Sequence, residues 1–180
     1  MRVIITVPHA ACPDRRALHA CDTAAAAAAR ALEAALSARG HRAVLFLATV
    51  PRTVVDMNRA ESRGTEWRAG VDAALAADPR PDALLDVHSF PRESFPVDLV
   101  IMTLGQPRRW HLALAAAVAR GAAASVGRAV GSGANDIMAG AAGAGVPAAL
   151  LEFCEDIGDG AMRAICDVVA EFLITATFGE

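Results

Sequence analysis

Two histidines follow segments that predict buried strands. His9 comes after Pro8 at the end of the apolar residues 3–7, and His88 comes directly after the apolar residues 83–87. Open α/β sheets bind their ligands at the carboxyl ends of such strands. Neutral imidazole is a common zinc ligand, and a catalytic zinc site uses about three protein ligands and one open position. The pair therefore predicts a zinc centre that contains His9 and His88.

The third ligand is expected to be a carboxylate or another imidazole. Asp22 is the favoured residue, because at the start of a long helix it can point back toward the strand ends. The same place also suits a helix N-cap, so Asp22 or Thr23 is expected to cap this helix, and capping is the alternative role for Asp22. Cys12, three residues after His9, and His19 are alternative ligands.

Two carboxylates interrupt apolar strands. Glu152 lies within AALLEFC, where burial of a carboxylate is costly unless it is paired with another group or takes part in chemistry. Beside a metal-bound water it would act as general base and then as proton donor to the leaving amine. A salt bridge to an arginine is the alternative. Asp86, two residues before His88, is expected on the same side of its strand, where it would orient that histidine or cap a turn.

Arginines bracket the segment RTVVDMNR. The forked guanidinium groups of Arg52 and Arg59 suit carboxylates and can polarise a carbonyl oxygen. Asp56 lies between them and would hold Arg59 or Arg63 in place. The alternative is an exposed charged loop with no role in binding.

Alternating strand and helix patterns predict an α/β fold with three layers and a mostly parallel sheet. The glycine-rich residues 131–145 predict a loop with a short helix, and they lack the Lys-Ser/Thr of a phosphate-binding P-loop. The predicted strands are residues 3–7, 43–47, 83–87, 98–102 and 148–153, and the predicted helices are a helix that follows Asp22 and Thr23 and ends near Gly40, and residues 66–77, 109–125 and 160–175.

Length and charge limit the functional classes. The 180 residues suit one domain over 1–180. A net charge of −3 without a basic stripe excludes nucleic acid as an expected partner. We see no secretory leader and no apolar run that would span a membrane. The four cysteines show no metal-binding spacing, so a reducing, cytoplasmic setting is expected, with the oligomeric state left open.

Four short segments together resemble the N-formylglutamate amidohydrolase family and, more distantly, the zinc carboxypeptidases. They are VPHA at 7–10, RTVVDMNR at 52–59, LLDVHS at 84–89 and LLEF at 150–153. Their order matches the family, and they span nearly the whole chain. The resemblance implies a phosphorylase/hydrolase-like fold with one zinc ion.

The resemblance also implies roles for individual residues. The metal ligands would be His9, Asp22 and His88, and Glu152 would be the general base. Arg52 would polarise the substrate carbonyl, and Asn58 and Arg59 would bind a substrate carboxylate. Two departures stand out. Cys12 occupies the place of the carboxypeptidases' ligand glutamate, and the loop before the last strand lacks the family's Arg-His pair.

Three functions compete at this point. The first is a zinc-dependent amidohydrolase that cleaves the amide bond of an N-acylated amino acid with a free carboxylate, such as N-formylglutamate. The second is a carboxypeptidase or cell-wall peptidase that uses the same site on a peptide. The third is a non-catalytic relative that keeps the fold for binding or assembly.

Overall fold

The computed structural model describes residues 1–12, 21–131 and 134–176, and within them a six-stranded sheet is flanked by helices. The strands are β1 (Arg2–Val7), β2 (Arg42–Leu47), β3 (Ala83–Phe90), β4 (Leu99–Leu104), β5 (Val126–Gly131) and β6 (Ala148–Cys154). The helices are α1 (Ala25–Ala38), α2 (Glu66–Leu75), α3 (Arg109–Gly121), α4 (Asp136–Gly143) and α5 (Asp159–Thr175), and a short 3-10 helix covers Ala60–Gly64.

The sheet is mixed but mostly parallel. Its strand order is β2-β1-β3-β6-β4-β5, and every neighbouring pair is parallel except β4 and β6, which run antiparallel. The predicted α/β fold class is therefore confirmed. β1, β2, β3 and β6 end at one edge of the sheet, whereas β4 and β5 end at the opposite edge.

Helices cover both faces of the sheet, which explains why β3 is buried along its whole length. One face packs against α1, α3 and α5 in the larger apolar core, and the other packs against α2 and α4 in a smaller one. Alanines such as Ala25, Ala28 and Ala29 are fully buried on α1. Their small side chains let this helix lie close to α5 and the sheet.

The sequence-based prediction missed one strand and misplaced the ends of two elements. β5 was not predicted, because its residues VGRAVG form an edge strand with little apolar character. Helix α3 ends at Gly121 rather than near residue 125, since Ala123 adopts a positive φ of 50°. His88 lies inside β3 rather than past its end, because β3 continues to Phe90. None of the helices in the described part of the chain is long and apolar enough to cross a membrane.

Candidate metal centre

The sheet face toward α2 and α4 changes from apolar to polar at one edge. On β1, β3 and β6 this face begins with Ile4, Leu84 and Leu150, which belong to the smaller core. Because alternate residues share a face, the same strands then present Thr6, Asp86, His88 and Glu152 toward their carboxyl ends. The polar cluster therefore lies where parallel strands of an α/β sheet bind ligands.

Three side chains at this edge offer metal ligands to one point. Ligand atoms of His9, Asp22 and His88 all lie within 4.8 Å of one another, and all three residues are buried. Asp22 Oδ2 lies 3.3 Å from His9 Nδ1 and 2.8 Å from His88 Nδ1. Two imidazole nitrogens and a carboxylate oxygen form a ligand set that suits zinc and leaves a coordination position open. The predicted residues therefore form a group that could hold a metal ion.

The outer nitrogens of both rings face other carboxylates. His9 Nε2 lies 2.8 Å from Asp56 Oδ1, and His88 Nε2 lies 3.2 Å from Asp86 Oδ2. With the ring proton on Nε2, each histidine donates to its carboxylate and keeps the Nδ1 lone pair for a metal. This arrangement of carboxylate, histidine and metal fixes ring orientation and raises ligand basicity. The orienting role predicted for Asp86 agrees with this geometry. Its carboxylate forms hydrogen bonds with side chains and, within the described residues, caps no turn.

The N-cap prediction for Asp22 and Thr23 was wrong. Helix α1 has Ala24 as its N-cap residue and no side-chain cap. The Asp22 carboxylate points to the two histidines instead, and its backbone N–H donates to His9 O at 3.1 Å. This backbone bond places Asp22 beside His9 although 12 residues separate them in the chain.

Of the alternative ligands, Cys12 is excluded in this structure because its sulfur is bonded to Cys21. The other alternative, His19, lies outside the described residues. Cys154 and Cys166 are buried free thiols. A disulfide is typical of oxidising compartments, so the Cys12–Cys21 pair does not favour the reducing setting expected from the sequence. The cytoplasmic setting stays a prediction.

Opposite charges hold Asp22 and His88 in their charged forms when no metal is bound. Burial raises the pKa of Asp22, but hydrogen bonds from His88 and His9 outweigh it and hold that pKa well below its usual range. Burial lowers the pKa of His88, but Asp86 and Asp22 outweigh it and raise that pKa well above its usual value. A metal ion must therefore displace a proton from His88 as it binds.

Glu152 lies beside His88 on the neighbouring strand, since the two are partners in the β3–β6 register. Burial raises the pKa of its carboxyl to about 7, with the His88 charge acting against the shift. Among the described residues it forms no ion pair with an arginine, so the salt-bridge alternative is not supported. A carboxyl with a pKa close to neutral is matched to general acid–base work.

The two arginines of RTVVDMNR converge on Asp56. Arg52 Nε lies 3.4 Å and Arg59 Nε 3.6 Å from Asp56 Oδ2, and both side chains remain more than a third exposed. Their exposed guanidinium groups thus stand beside the carboxylate that orients His9. The predicted ion pair between Asp56 and Arg59 is present, whereas Arg63 forms an ion pair with Asp136 instead. The hydrogen bond between His9 and Asp56 is not predictable from the sequence, because the two residues lie 47 positions apart.

Asn58 is turned into the site. It is 7% exposed, and its Nδ2 lies 3.3 Å from His88 Nε2. Its Oδ1 is buried without a hydrogen-bond partner among the described atoms. An exchange of the two amide positions would let Oδ1 accept from His88 Nε2, which matches a ring that binds metal through Nδ1. The substrate role implied for Asn58 stays a prediction.

Residues 134–136, which lead into α4 and include its first residue, also reach the site. Asn135 is 6% exposed and donates from Nδ2 to Asp86 Oδ2 at 2.7 Å. Asn135 was not predicted as a site residue, because the glycine-rich segment 131–145 predicts a loop with a short helix and no site groups. The signal was present, since Asn before a helical pattern is a preferred N-cap, and Asn135 Oδ1 does accept from Met138 N.

Comparisons with known proteins find likeness in structure rather than in sequence. No protein-family model and no curated protein matches the chain. Among solved structures, the gene product Atu2144 from Agrobacterium tumefaciens is 19% identical, with a TM-score of 0.69 over 95% of this chain and 88% of that one. At such identity the likeness shows the fold alone.

Two further structures carry names of amide-cleaving enzymes. An N-acetylmuramoyl-L-alanine amidase from Clostridium difficile 630 is 11% identical, with a TM-score of 0.64 over 96% of this chain and 94% of that one. The N-formylglutamate amidohydrolase from Ralstonia eutropha JMP134 is 13% identical, with a TM-score of 0.60 over 96% and 92%. The observed fold therefore matches that of hydrolases, including the family that the sequence motifs resemble.

Proposed function

We propose that this protein is a zinc-dependent amidohydrolase that cleaves the amide bond of an N-acylated amino acid with a free carboxylate. The observation that carries the proposal is the placement of Glu152 beside a group of two histidines and one aspartate. A zinc ion held there would supply a Lewis acid that makes a water more acidic at neutral pH.

The chain's own residues account for the remaining steps. Glu152 takes a proton from the attacking water and returns it to the leaving amine, so the same carboxyl acts first as base and then as acid. Its pKa of about 7 keeps both forms available at neutral pH. Arg52 donates hydrogen bonds to the carbonyl oxygen as negative charge builds on it.

We assign substrate recognition to Arg59 and Asn58. Arg59, whose side chain is 41% exposed, offers a planar pair of donors to a substrate carboxylate. Asn58 adds an amide on the same segment. Formylglutamate-like substrates carry carboxylates close to the scissile amide, which suits this spacing of Arg52 and Arg59 around one site.

The second candidate is cleavage of an amide bond in a cell-wall peptide. The solved amidases favour it, because the N-acetylmuramoyl-L-alanine amidase from Clostridium difficile 630 is matched over 94% of its own length. Both candidates use the same groups and differ only in the substrate that lies beside Arg59.

The test combines metal analysis with a substrate comparison. We expect one zinc per chain and turnover of N-formyl and N-acyl amino acids, with muramoyl peptides and short peptides assayed alongside. Exclusive turnover of muramoyl peptides would select the second candidate. Absence of bound metal after purification and zinc reconstitution would reject both.

The variant Glu152→Gln separates chemistry from binding. It is expected to keep zinc but to lose about 10²–10⁴-fold in kcat, the usual contribution of a general base. Glu171→Gln is the matched control, since Glu171 is an exposed carboxylate on α5 whose side chain is 64% exposed. Retained activity in Glu152→Gln would remove Glu152 from the base role.

A further inference from the structure

The segment before α4 is fastened to the segment that carries Asn58 and Arg59. Asp136 N donates to Asn58 O at 3.0 Å, and Arg59 Nη1 donates to Ala134 O at 2.9 Å. The carboxylate of Asp136 also accepts from Arg68 Nη1 at 2.6 Å. Residues 134–136 are thereby held at the edge of the sheet where the polar cluster lies.

Asn135 uses both ends of its amide in this position. Its oxygen accepts from Met138 N at 2.9 Å and caps α4, while its nitrogen donates to Asp86 Oδ2 at 2.7 Å. The side chain is buried, so neither bond competes with bulk water. Each bond fixes the orientation that the other requires.

Asp86 is fully buried and depends on its donors for orientation. Thr6 Oγ1 donates to Oδ1 at 2.7 Å, and Asn135 Nδ2 donates to Oδ2 at 2.7 Å. With one donor on each oxygen, the plane of the carboxylate is fixed. The same Oδ2 then faces His88 Nε2 at 3.2 Å.

We propose that Asn135 is a positioning residue for the metal centre, which acts through Asp86 on the orientation of His88. The inference rests on the proposed metal site. Loss of the Asn135 donor lets the Asp86 carboxylate turn away, and His88 Nδ1 then spends less time aimed at the shared point with His9 and Asp22. Metal affinity falls as a result, since partners in the outer shell typically set it by about 10–100-fold.

Two substitutions separate this role from helix capping. Asn135→Asp keeps a good N-cap acceptor for Met138 but replaces the donor with a carboxylate that repels Asp86. Asn135→Ser also keeps a cap acceptor, carries no charge, and is too short to reach Asp86. We expect both variants to bind Zn²⁺ about 10–100-fold more weakly in a chelator competition. Asn135→Ser should keep a thermal midpoint close to that of the unsubstituted protein, whereas Asn135→Asp should lower it because two buried carboxylates repel each other.

A double-mutant cycle with Asp86→Asn tests the route. If Asn135 acts through Asp86, then Asn135→Ser causes little further loss of Zn²⁺ affinity once Asp86 is replaced. Equal losses in both backgrounds would overturn the route, and unchanged affinity in Asn135→Ser and Asn135→Asp would overturn the positioning role. Failure of the unsubstituted protein to bind Zn²⁺ would instead overturn the proposed function, so the two failures are distinguishable.

Discussion

His9 Nε2 lies 2.8 Å from Asp56 Oδ1, a contact that joins the loop after β1 to the segment before the 3-10 helix. Burial raises the pKa of Asp56, but the hydrogen bonds from His9 and from the Asn58 backbone, together with the nearby positive charge of Arg52, outweigh it and lower that pKa below its usual value. The Asp56 carboxylate therefore stays charged at neutral pH. It orients His9 while its other oxygen faces Arg52 and Arg59.

Asp56→Ala is expected to weaken Zn²⁺ binding by about 10–100-fold, because His9 loses the acceptor that fixes its ring. The dissociation constant is measured by competition with a chelator. Asp167→Ala, at an exposed position on α5, serves as control. An Asp56→Ala protein with unchanged affinity would show that the His9 ring needs no such partner.

Arg52 and Arg59 are expected to affect different kinetic constants. Arg52→Ala should lower kcat by about 10²–10³-fold, the usual loss of one donor to a developing oxyanion. Arg59→Ala should mainly raise KM, because a grip on the substrate carboxylate acts in the ground state as well as in the transition state. Steady-state kinetics on one N-acyl amino acid decide the matter, and equal effects on kcat and KM in both variants would contradict the assignment.

The Cys12–Cys21 disulfide is expected to support the metal ligands on either side of it. Cys21 is adjacent to Asp22, and Cys12 lies three residues after His9. The double variant Cys12→Ser/Cys21→Ser should lose about 2–4 kcal/mol in the free energy of unfolding and should bind Zn²⁺ more weakly. Reductant should have the same effect on the unsubstituted protein and none on the variant, while identical Zn²⁺ affinities in the two proteins would refute the link.

The ion pairs of Asp136 predict a pH-dependent contribution to stability. A hydrogen bond from Arg63 and, against the effect of burial, one from Arg68 lower its pKa from the usual 3.8. The unfolded chain therefore binds this proton more readily than the folded one does. The stabilisation is fully present above the unfolded pKa and disappears as the pH falls through the folded pKa.

Asp136→Asn should accordingly lower the free energy of unfolding by about 1.5–3 kcal/mol at pH 7, the range for hydrogen bonds to charged groups. The difference from the unsubstituted protein should narrow as the pH falls below 4, which urea titrations across this range would follow. Asp156→Asn is the control at an exposed carboxylate. A gap that widens on acidification would contradict the assignment.

The sequence predicted the parts of the candidate site that lie in strands or shortly after them. His9, Glu152 and Asp86 were found because polar residues within or after apolar runs are conspicuous. Their common face followed from the alternation of side chains along a strand. The α/β fold was predictable for the same reason, since apolar strands and helical patterns alternate along the chain.

Contacts made by loops were not predictable in the same way. Asp56 and Asn135 reach His9 and Asp86 only because separate segments meet at the sheet edge. No local periodicity encodes such meetings. The antiparallel placement of β4 against β6 was likewise hidden, because the strand pattern of apolar residues does not record direction.

The position of β6 has a consequence for the order of events during synthesis. Among the strands of the described residues, β6 comes last in the sequence, yet it lies between β3 and β4 in the sheet. Until the residues from Ala148 onward have been made, β3 and β4 lack the strand that pairs with both of them, and unpaired strand edges of this kind favour pairing with another chain. Glu152 lies on the strand that joins the two parts of the sheet, so the proposed general base can take its place beside His88 only when the sheet is completed.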